Sequence, residues 1–278
     1  MNSLENKIDF VALVTVNNAN PNGDPLNGNR PRTDYNGYGE ISDVCIKRKI
    51  RNRMQDMGEC VFVQTDERCD DGAGSLKVRA KDLKKIKDYD EFYKRACEKW
   101  TDVRTFGQVF AFKDFDCASV GVRGPVSIHQ AVSMNPVEVY SQQITKSVSG
   151  EKKEGKLRGP DTIGWKHFVK FGLYKIKGSI NVQLTEKTGF SREDANLVKD
   201  CLKTLFVNDS SSARPDGSME VYKLYWFEHN CKDGQYSSAN VHRSVEVTLK
   251  IDVPASIDDY SIQVNQLPEL AVEEINGI

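Results

Sequence analysis

The first apolar run, Ile8 to Val16, is nearly unbroken, the pattern of a strand buried on both faces. After a polar loop, Ile46, Ile50, Met54 and Met57 recur at helical spacing, which predicts a helix over roughly Asp43 to Met57 with one apolar stripe. Cys60 to Gln64 reads as a short strand. Thr65 to Gly74 is acidic and turn-rich, and Lys81–Lys87 and Tyr89–Trp100 read as helices, the second with Phe92, Ala96 and Trp100 along one side. From Ser119 the period becomes two: Val120, Val122, Val126, Ile128 and Val132 point one way, Arg123, Ser127 and His129 the other. Gly172 to Leu184 also alternates, setting Tyr174, Ile176, Ile180 and Val182 against Lys175, Lys177, Asn181 and Gln183. Ser191-Arg192-Glu193-Asp194 predicts a capping-box helix start, with Ala195, Val198, Leu202 and Leu205 buried and an end near Phe206. Met219–Glu228 and Ser244–Asp252 are the last strands, the latter alternating through Val245, Val247, Leu249 and Ile251.

With the irregular block set aside as an insertion, the order approximates β-α-β-β-α-β, an α+β, ferredoxin-like (RRM-like) pattern. Between Val137 and Phe171 lies a segment that suits no core. Val137, Val139, Gln143 and Thr145 begin it, a Gly-, Lys- and Glu-rich tip runs from Ser147 to Arg158, and Thr162 to Val169 returns. Two extended arms around a polar tip predict a protruding hairpin, which is marginal alone in water and needs a ligand or neighbour to order it.

Composition changes this picture little. The chain has 278 residues, 38% hydrophobic and 28% charged, enough for a full core in one or two domains. No apolar run approaches the ~18 residues of a membrane span, no signal peptide is expected, and seven scattered cysteines read as reduced thiols in a cytoplasm.

Charge changes it more. A net charge of −1 conceals segregated blocks. Asp43 to Arg53 holds five cations (Lys47, Arg48, Lys49, Arg51 and Arg53) against one acid. Lys146 to Lys177 holds nine cations against three acids, and Ile251 to Ile278 six acids and no cation. The first block follows a turn-forming loop, Asn20-Pro21-Asn22-Gly23-Asp24-Pro25, and Arg30-Pro31-Arg32. Loop amides, a helix N-terminus and adjacent cations together suit a polyanion. A solvated helix face is the plainer reading of the same cations.

Other chemistry finds little support. His129, His167, His229 and His242 have no close ligand spacing, so no metal site is expected. No nucleophile motif, P-loop or dinucleotide fingerprint is present. Asp24 and Asp34 flank the loop, and a carboxylate beside RNA could hold a metal. An Asp in Gly-Asp-Pro is more simply a turn residue bonded to its own backbone.

Five blocks look familiar: Asn20–Pro25, Val44–Asn52, Asp102-Val103-Arg104-Thr105-Phe106-Gly107, Arg123-Gly124-Pro125-Val126-Ser127 and Lys187-Thr188-Gly189-Phe190-Ser191. In this order they resemble the repeated backbone subunit (RAMP superfamily) of the type I CRISPR Cascade complex, the type I-C version most of all. The resemblance implies a single ferredoxin-like palm with a helical finger at about 65–117 and a thumb hairpin at about 138–171. It implies copies stacked head to tail on a guide RNA, which they hold for pairing with target DNA. The guide-processing endoribonuclease, large subunit and small subunits would be neighbours. Guide phosphates would meet Lys47, Arg48, Arg51 and Arg30 or Arg32, assisted by Asn22 and Gly23, with Arg123 supporting. Gln142, Gln143 and Thr145 would wedge between bases, and Lys152, Lys153 and Lys156 would touch DNA or a neighbouring copy. The family's type I members do not cleave and no cofactor is implied. Type III relatives cut target RNA with a loop aspartate, for which Asp24 is the nearest analogue.

Overall fold

The computed structural model describes residues 3–145 and 163–278. Strand β1 (Ile8–Ala19) leads into two short strands, β2 (Gly23–Asp24) and β3 (Arg30–Pro31), then β4 (Tyr38–Ile41) and helix α1 (Asp43–Asp56). Next come α2 (Leu76–Arg79), α3 (Tyr89–Lys99), α4 (Thr101–Phe106), β5 (Gly107–Phe110) and β6 (Val120–Arg123). Strands β7 (Val126–Ile128), β8 (Ala131–Pro136), β9 (Val139–Thr145) and β10 (Ile163–Ile180) precede α5 (Val182–Thr188) and α6 (Arg192–Lys203). Strand β11 (Met219–Glu228), α7 (Ser238–Ser244), β12 (Val245–Leu249), β13 (Tyr260–Val264) and β14 (Val272–Asn276) finish the chain.

The protein is a mixed α/β molecule built on a central antiparallel sheet, ordered β14-β11-β1-β10-β8-β4, with β7 and β9 also paired to β10. Strand β1 sits between β10 and β11, and every residue from Ile8 to Val16 is buried, as the apolar run predicts. Phe10, Ala12 and Val14 face one way and meet Ile46, Ile50 and Met54 of α1 and Ala195, Val198 and Leu202 of α6. Val11 and Leu13 face the other way, against Val241 of α7, Val245 of β12 and Tyr260 of β13. Both faces of the sheet are therefore covered.

The helix starts follow the sequence. Ser42 caps α1 by accepting from Cys45 N–H, and Ser191 and Asp194 form a reciprocal capping box at α6. Between α1 and β7 the chain builds a second core in which Phe62, Phe92, Trp100 and Phe110 pack edge and face. Arg79 is buried beneath it, its guanidinium donating to the Phe62 carbonyl and to both oxygens of Asp71. That pairing holds the Asp71 carboxyl far below the usual carboxylate range.

Several expectations need correction. Cys60–Gln64 is not a strand; its Phe62 and Val63 N–H groups turn to the Asp102 carboxylate instead of a strand partner. Lys81–Lys87 yields only one 3-10 turn, Lys81–Leu83. Val132 faces solvent, because pairing with β10 turns Ala131, Ser133 and Asn135 inward. The alternation through Gly172–Leu184 stops at Ile180, where Asn181 caps α5 by accepting from Leu184 N–H. Helix α6 ends at Lys203 rather than Phe206, and β12 at Leu249.

Ile50 is fully buried between α1 and the sheet. Ile50→Ala should destabilise the protein by about 2–5 kcal/mol, transfer loss plus residual cavity. Equilibrium urea unfolding checks this; a loss below the lower bound would mean α1 is not fixed to the sheet.

Candidate nucleic-acid interface

The loop after β1 is built by its own amides. The Asn20 side chain donates to the Asn29 carbonyl at 2.7 Å, and Asn22 Oδ1 accepts from both N–H and Oγ–H of Ser42 at 2.9 Å. Asn22 thus fastens the loop to the first turn of α1. Gly23 lies close under the Asn29 side chain: a Cβ there would fall 2.0 Å from Asn29 Oδ1, so that amide would have to move to admit one. Asp24 Oδ1 accepts from Leu26 N–H and lies 3.4 Å from Arg32 Nη2, so it serves as a turn cap and ion-pair partner. Asp34 likewise accepts from the N–H groups of Asn36 and Tyr38, each at 2.8 Å.

Arg30 reaches out of this loop to another element. Its Nη1 donates to Ser141 Oγ on β9 at 2.9 Å and lies 3.5 Å from His167 Nδ1 on β10. Partial burial and the Arg30 charge lower the His167 pKa. The β9–β10 pair extends in register from Val139 opposite Val169 to Thr145 opposite Ile163. Gln142, Gln143 and Thr145 are exposed along it, opposite Lys166, Trp165 and Ile163. Lys152, Lys153 and Lys156 lie outside the described residues.

The five cations of α1 do not all point outward, contrary to the expectation of a cationic outer face. Lys47 pairs with Asp43 one turn back, at 3.0 Å and partly exposed. Lys49 is buried against Asp209, which also pairs with Arg214 at 3.1 Å. Arg48 donates to the Val63 carbonyl at 2.6 Å, and burial lowers its pKa to about 10. Arg51 Nε donates to the wholly buried Asp102 at 2.8 Å, with its guanidinium 5.0 Å from the centre of the Phe106 ring. Arg53 joins Asp56 and Thr204. Three flanks of the helix are thereby tied to the rest of the chain.

The Asp102–Gly107 block gains a structural account. Asp102 collects Phe62 N–H, Val63 N–H and Arg51. Arg104 grips both oxygens of Asp194 at 2.8–3.1 Å, joining α4 to the α6 capping box. Gly107 turns with φ 84°, and a Cβ there would meet the Val122 carbonyl at 2.4 Å.

Arg123 is exposed and lies elsewhere. It lines a cleft of about 760 Å³ between α3, β6 and α5, together with Tyr89, Tyr93, Lys94 and Lys187. The structure therefore groups Asn22, Gly23, Arg30 and Arg32 with the β9–β10 pair, places Lys47 on the neighbouring helix, and sets Arg123 in a separate cleft.

The sequence did not single out Trp165, and His167 entered only among histidines without metal-ligand spacing. Trp165 is 58% exposed beside Gln143. The alternation Ile163-Gly-Trp165-Lys-His167 carried the signal, since a solvent-facing Trp on a paired arm has no core to serve. His229 and His242 converge on buried Asp9, at 2.8 and 3.9 Å, with Lys7 at 3.1 Å. Burial opposes the Asp9 charge, but hydrogen bonds from His229 and Ser238 and the charge of Lys7 hold its pKa low. Among the described residues no group of three or more His, Cys, Asp and Glu side chains is arranged to hold a metal. No described helix is long and apolar enough to cross a membrane.

The chain is thus a mixed α/β fold in which a loop of amides and arginines is joined to the β9–β10 pair. Residues 6–265 match the family model of CRISPR-associated protein Cas7, and the chain belongs to that family. A curated relative, the CRISPR-associated protein Cas7 of Haloferax volcanii, is 26% identical over 95% of this chain and 82% of its own length. A chain of a solved CRISPR RNA-guided surveillance complex, pre-nicking, shares the fold with a TM-score of 0.51 and 16% identity. The match covers 85% of this chain and 79% of that one.

Asp102→Ala would strand one buried and one partly buried N–H group and the Arg51 guanidinium. It should cost about 3–5 kcal/mol, whereas Lys47→Ala, which breaks one exposed pair, should cost under about 1 kcal/mol. Urea unfolding of the two variants separates a buried structural ion pair from a solvent-accessible one; equal losses would contradict that division.

Proposed function

We propose that this chain is a non-catalytic, sequence-independent guide-RNA-binding subunit. Copies of it would form the backbone of a type I CRISPR surveillance complex and present the guide for pairing with target DNA. The strand order β11-β1-β10-β8, with α1 and α6 on one face, supports a ferredoxin-like palm. The second core supports a finger over about 65–117, and the β9–β10 pair supports a thumb over about 138–171. Other copies, a guide-processing endoribonuclease, a large subunit and small subunits would be its neighbours, in the cytoplasm.

The observation that carries this reading is the Arg30–Ser141 bond, which makes the loop cations and the strand pair one surface. With both sheet faces covered, an open-sheet RNA platform is unavailable. Loop and helix edge remain, and they offer contacts to phosphate and sugar, with sequence left to base pairing. Arg30, Arg32 and Lys47 are the cations that phosphates would recruit, since their present partners are exposed or weakly held. Arg48 and Arg51 would act from more enclosed positions, and Arg123 from its own cleft. Gln142, Gln143, Thr145 and the exposed Trp165 would meet bases along the thumb.

Arg30→Ala with Lys47→Ala should weaken binding of unrelated single-stranded RNAs alike and reduce the salt slope by about 0.7 per lost contact. Fluorescence anisotropy over a salt series checks this; an unchanged slope would sink the reading. Asp24→Ala should leave target RNA as intact as it is with the parent protein in Mg²⁺.

A further inference from the structure

Basic side chains gather away from the loop cations, at the rim of the layer that covers the second face of the sheet. Lys175 and Lys177 share the β10 face of Leu173, which puts both on the side of α7 and β12. Lys175 Nζ donates to the Val245 carbonyl at the start of β12. His129, in the link between β7 and β8, donates its backbone N–H to the Lys177 carbonyl at 2.8 Å. Its ring meets the ring of His242 on α7 edge to face, with centres 5.7 Å apart. His242 is only 5% exposed. Its Nε2–H donates to the Gly178 carbonyl at 2.9 Å, and its Nδ1 has no partner among the described residues.

What this junction lacks is negative charge. Lys175 is half-buried, yet its partner is a neutral carbonyl, and half-buried Lys177 has no side-chain partner among the described residues. Buried Asp9 lies 3.9 Å from His242, but its charge is committed to Lys7 and His229. Glu246 on β12 is exposed and forms no ion pair among the described residues. Burial, with the Lys177 charge adding to it, lowers the Lys175 pKa to about 8 against the pull of Glu246. Burial also lowers the His242 pKa; the Gly178 carbonyl and Asp9 oppose that shift, and His129 and Lys177 add to it. Part of each shift is therefore cations crowding one another. Half-buried ammonium groups without a carboxylate carry a cost that a bound anion would offset.

We propose that Lys175, Lys177, His129 and His242 bind a phosphate group with a doubly charged form: inorganic phosphate, or a phosphomonoester such as a nucleotide or the terminal phosphate of a nucleic acid. The lysines act as point charges that phosphate oxygens approach without a fixed geometry, and the imidazoles add N–H donors. An internal phosphodiester carries one charge and would leave the cluster short of neutralisation. The site uses none of the cations of the loop or of α1, so it stands or falls apart from the RNA reading.

Inorganic phosphate titrated into the full chain, followed by the line width of its phosphorus NMR signal, should bind saturably. Lys177→Gln should weaken binding about tenfold, the loss of one charge-assisted contact. Lys175→Gln combined with Lys177→Gln should abolish it. Both variants should unfold at or above the parent temperature, because like-charge repulsion is relieved. His129→Asn, at an exposed position, should weaken binding without any buried change. Lys177→Gln should bind 5′-hydroxyl RNA as the parent does. RNA with a 5′-phosphate is then compared with its 5′-hydroxyl twin. Tighter binding of the phosphorylated strand, lost in Lys177→Gln, assigns the site to nucleic-acid ends; equal binding assigns it to a free phosphate compound. No saturable phosphate binding, equal binding by the double variant, or displacement of phosphate by equal acetate overturns the proposal, and the last points to an acidic protein segment as occupant.

Discussion

Burial of β1 on both faces is the constraint from which the rest follows. A strand with Phe10, Ala12 and Val14 on one side and Val11 and Leu13 on the other must be covered twice. Helices α1 and α6 cover one side; α7 and the β12–β13 pair cover the other. Neither sheet face remains for a ligand. What projects is what the sheet cannot absorb: the loop leaving β1, and the length of β10 that outruns β1 and pairs with β9. Both projections start at the same end of the sheet, since Ala19 lies opposite Val169, and Arg30 bridges them there.

The cations of α1 divide by depth. Lys49, Arg48 and Arg51 lie against Asp209, the Val63 carbonyl and Asp102. A buried charge without a partner is costly, so these pairs fix α1 to its neighbours whether or not a ligand is present. Lys47 on the helix, like Arg32 in the loop before it, holds a partner that water and competing anions reach. The same residue types along one helix therefore do different work, and their alternation along the sequence does not reveal which is which.

Elements with a strong local signal were legible beforehand. The buried strand, Ile46, Ile50 and Met54 of the α1 stripe, the capping box at Ser191 and strand β11 all stand where patterning put them, while Met57 falls at the helix end and is exposed. The failures share a cause: partners distant in sequence decided them. Cys60–Gln64 has strand-like residues, but Asp102, some forty positions on, claims its N–H groups. Val132 fits the earlier alternation, but pairing with Tyr174 and Lys175 resets the phase. Lys49 fits an outward stripe, but Asp209 lies beside it in the fold. At the candidate surface, the loop's own Asn and Gly chemistry was readable, and the bond from Arg30 to Ser141, 111 residues apart, was not.

The division of cations has a consequence for how salt acts on this protein. Exposed charges lose most of their attraction over about 8–10 Å at moderate ionic strength, while enclosed pairs are screened far less. Raising salt should therefore loosen whatever Arg30, Arg32 and Lys47 hold long before it disturbs Arg51 against Asp102 or Arg104 against Asp194. The exposed cations and the frame beneath them use the same guanidinium and ammonium groups, yet solvent access alone gives them separate sensitivities. On the function proposed above, a polyanion would then be released without unfolding the loop and strand root.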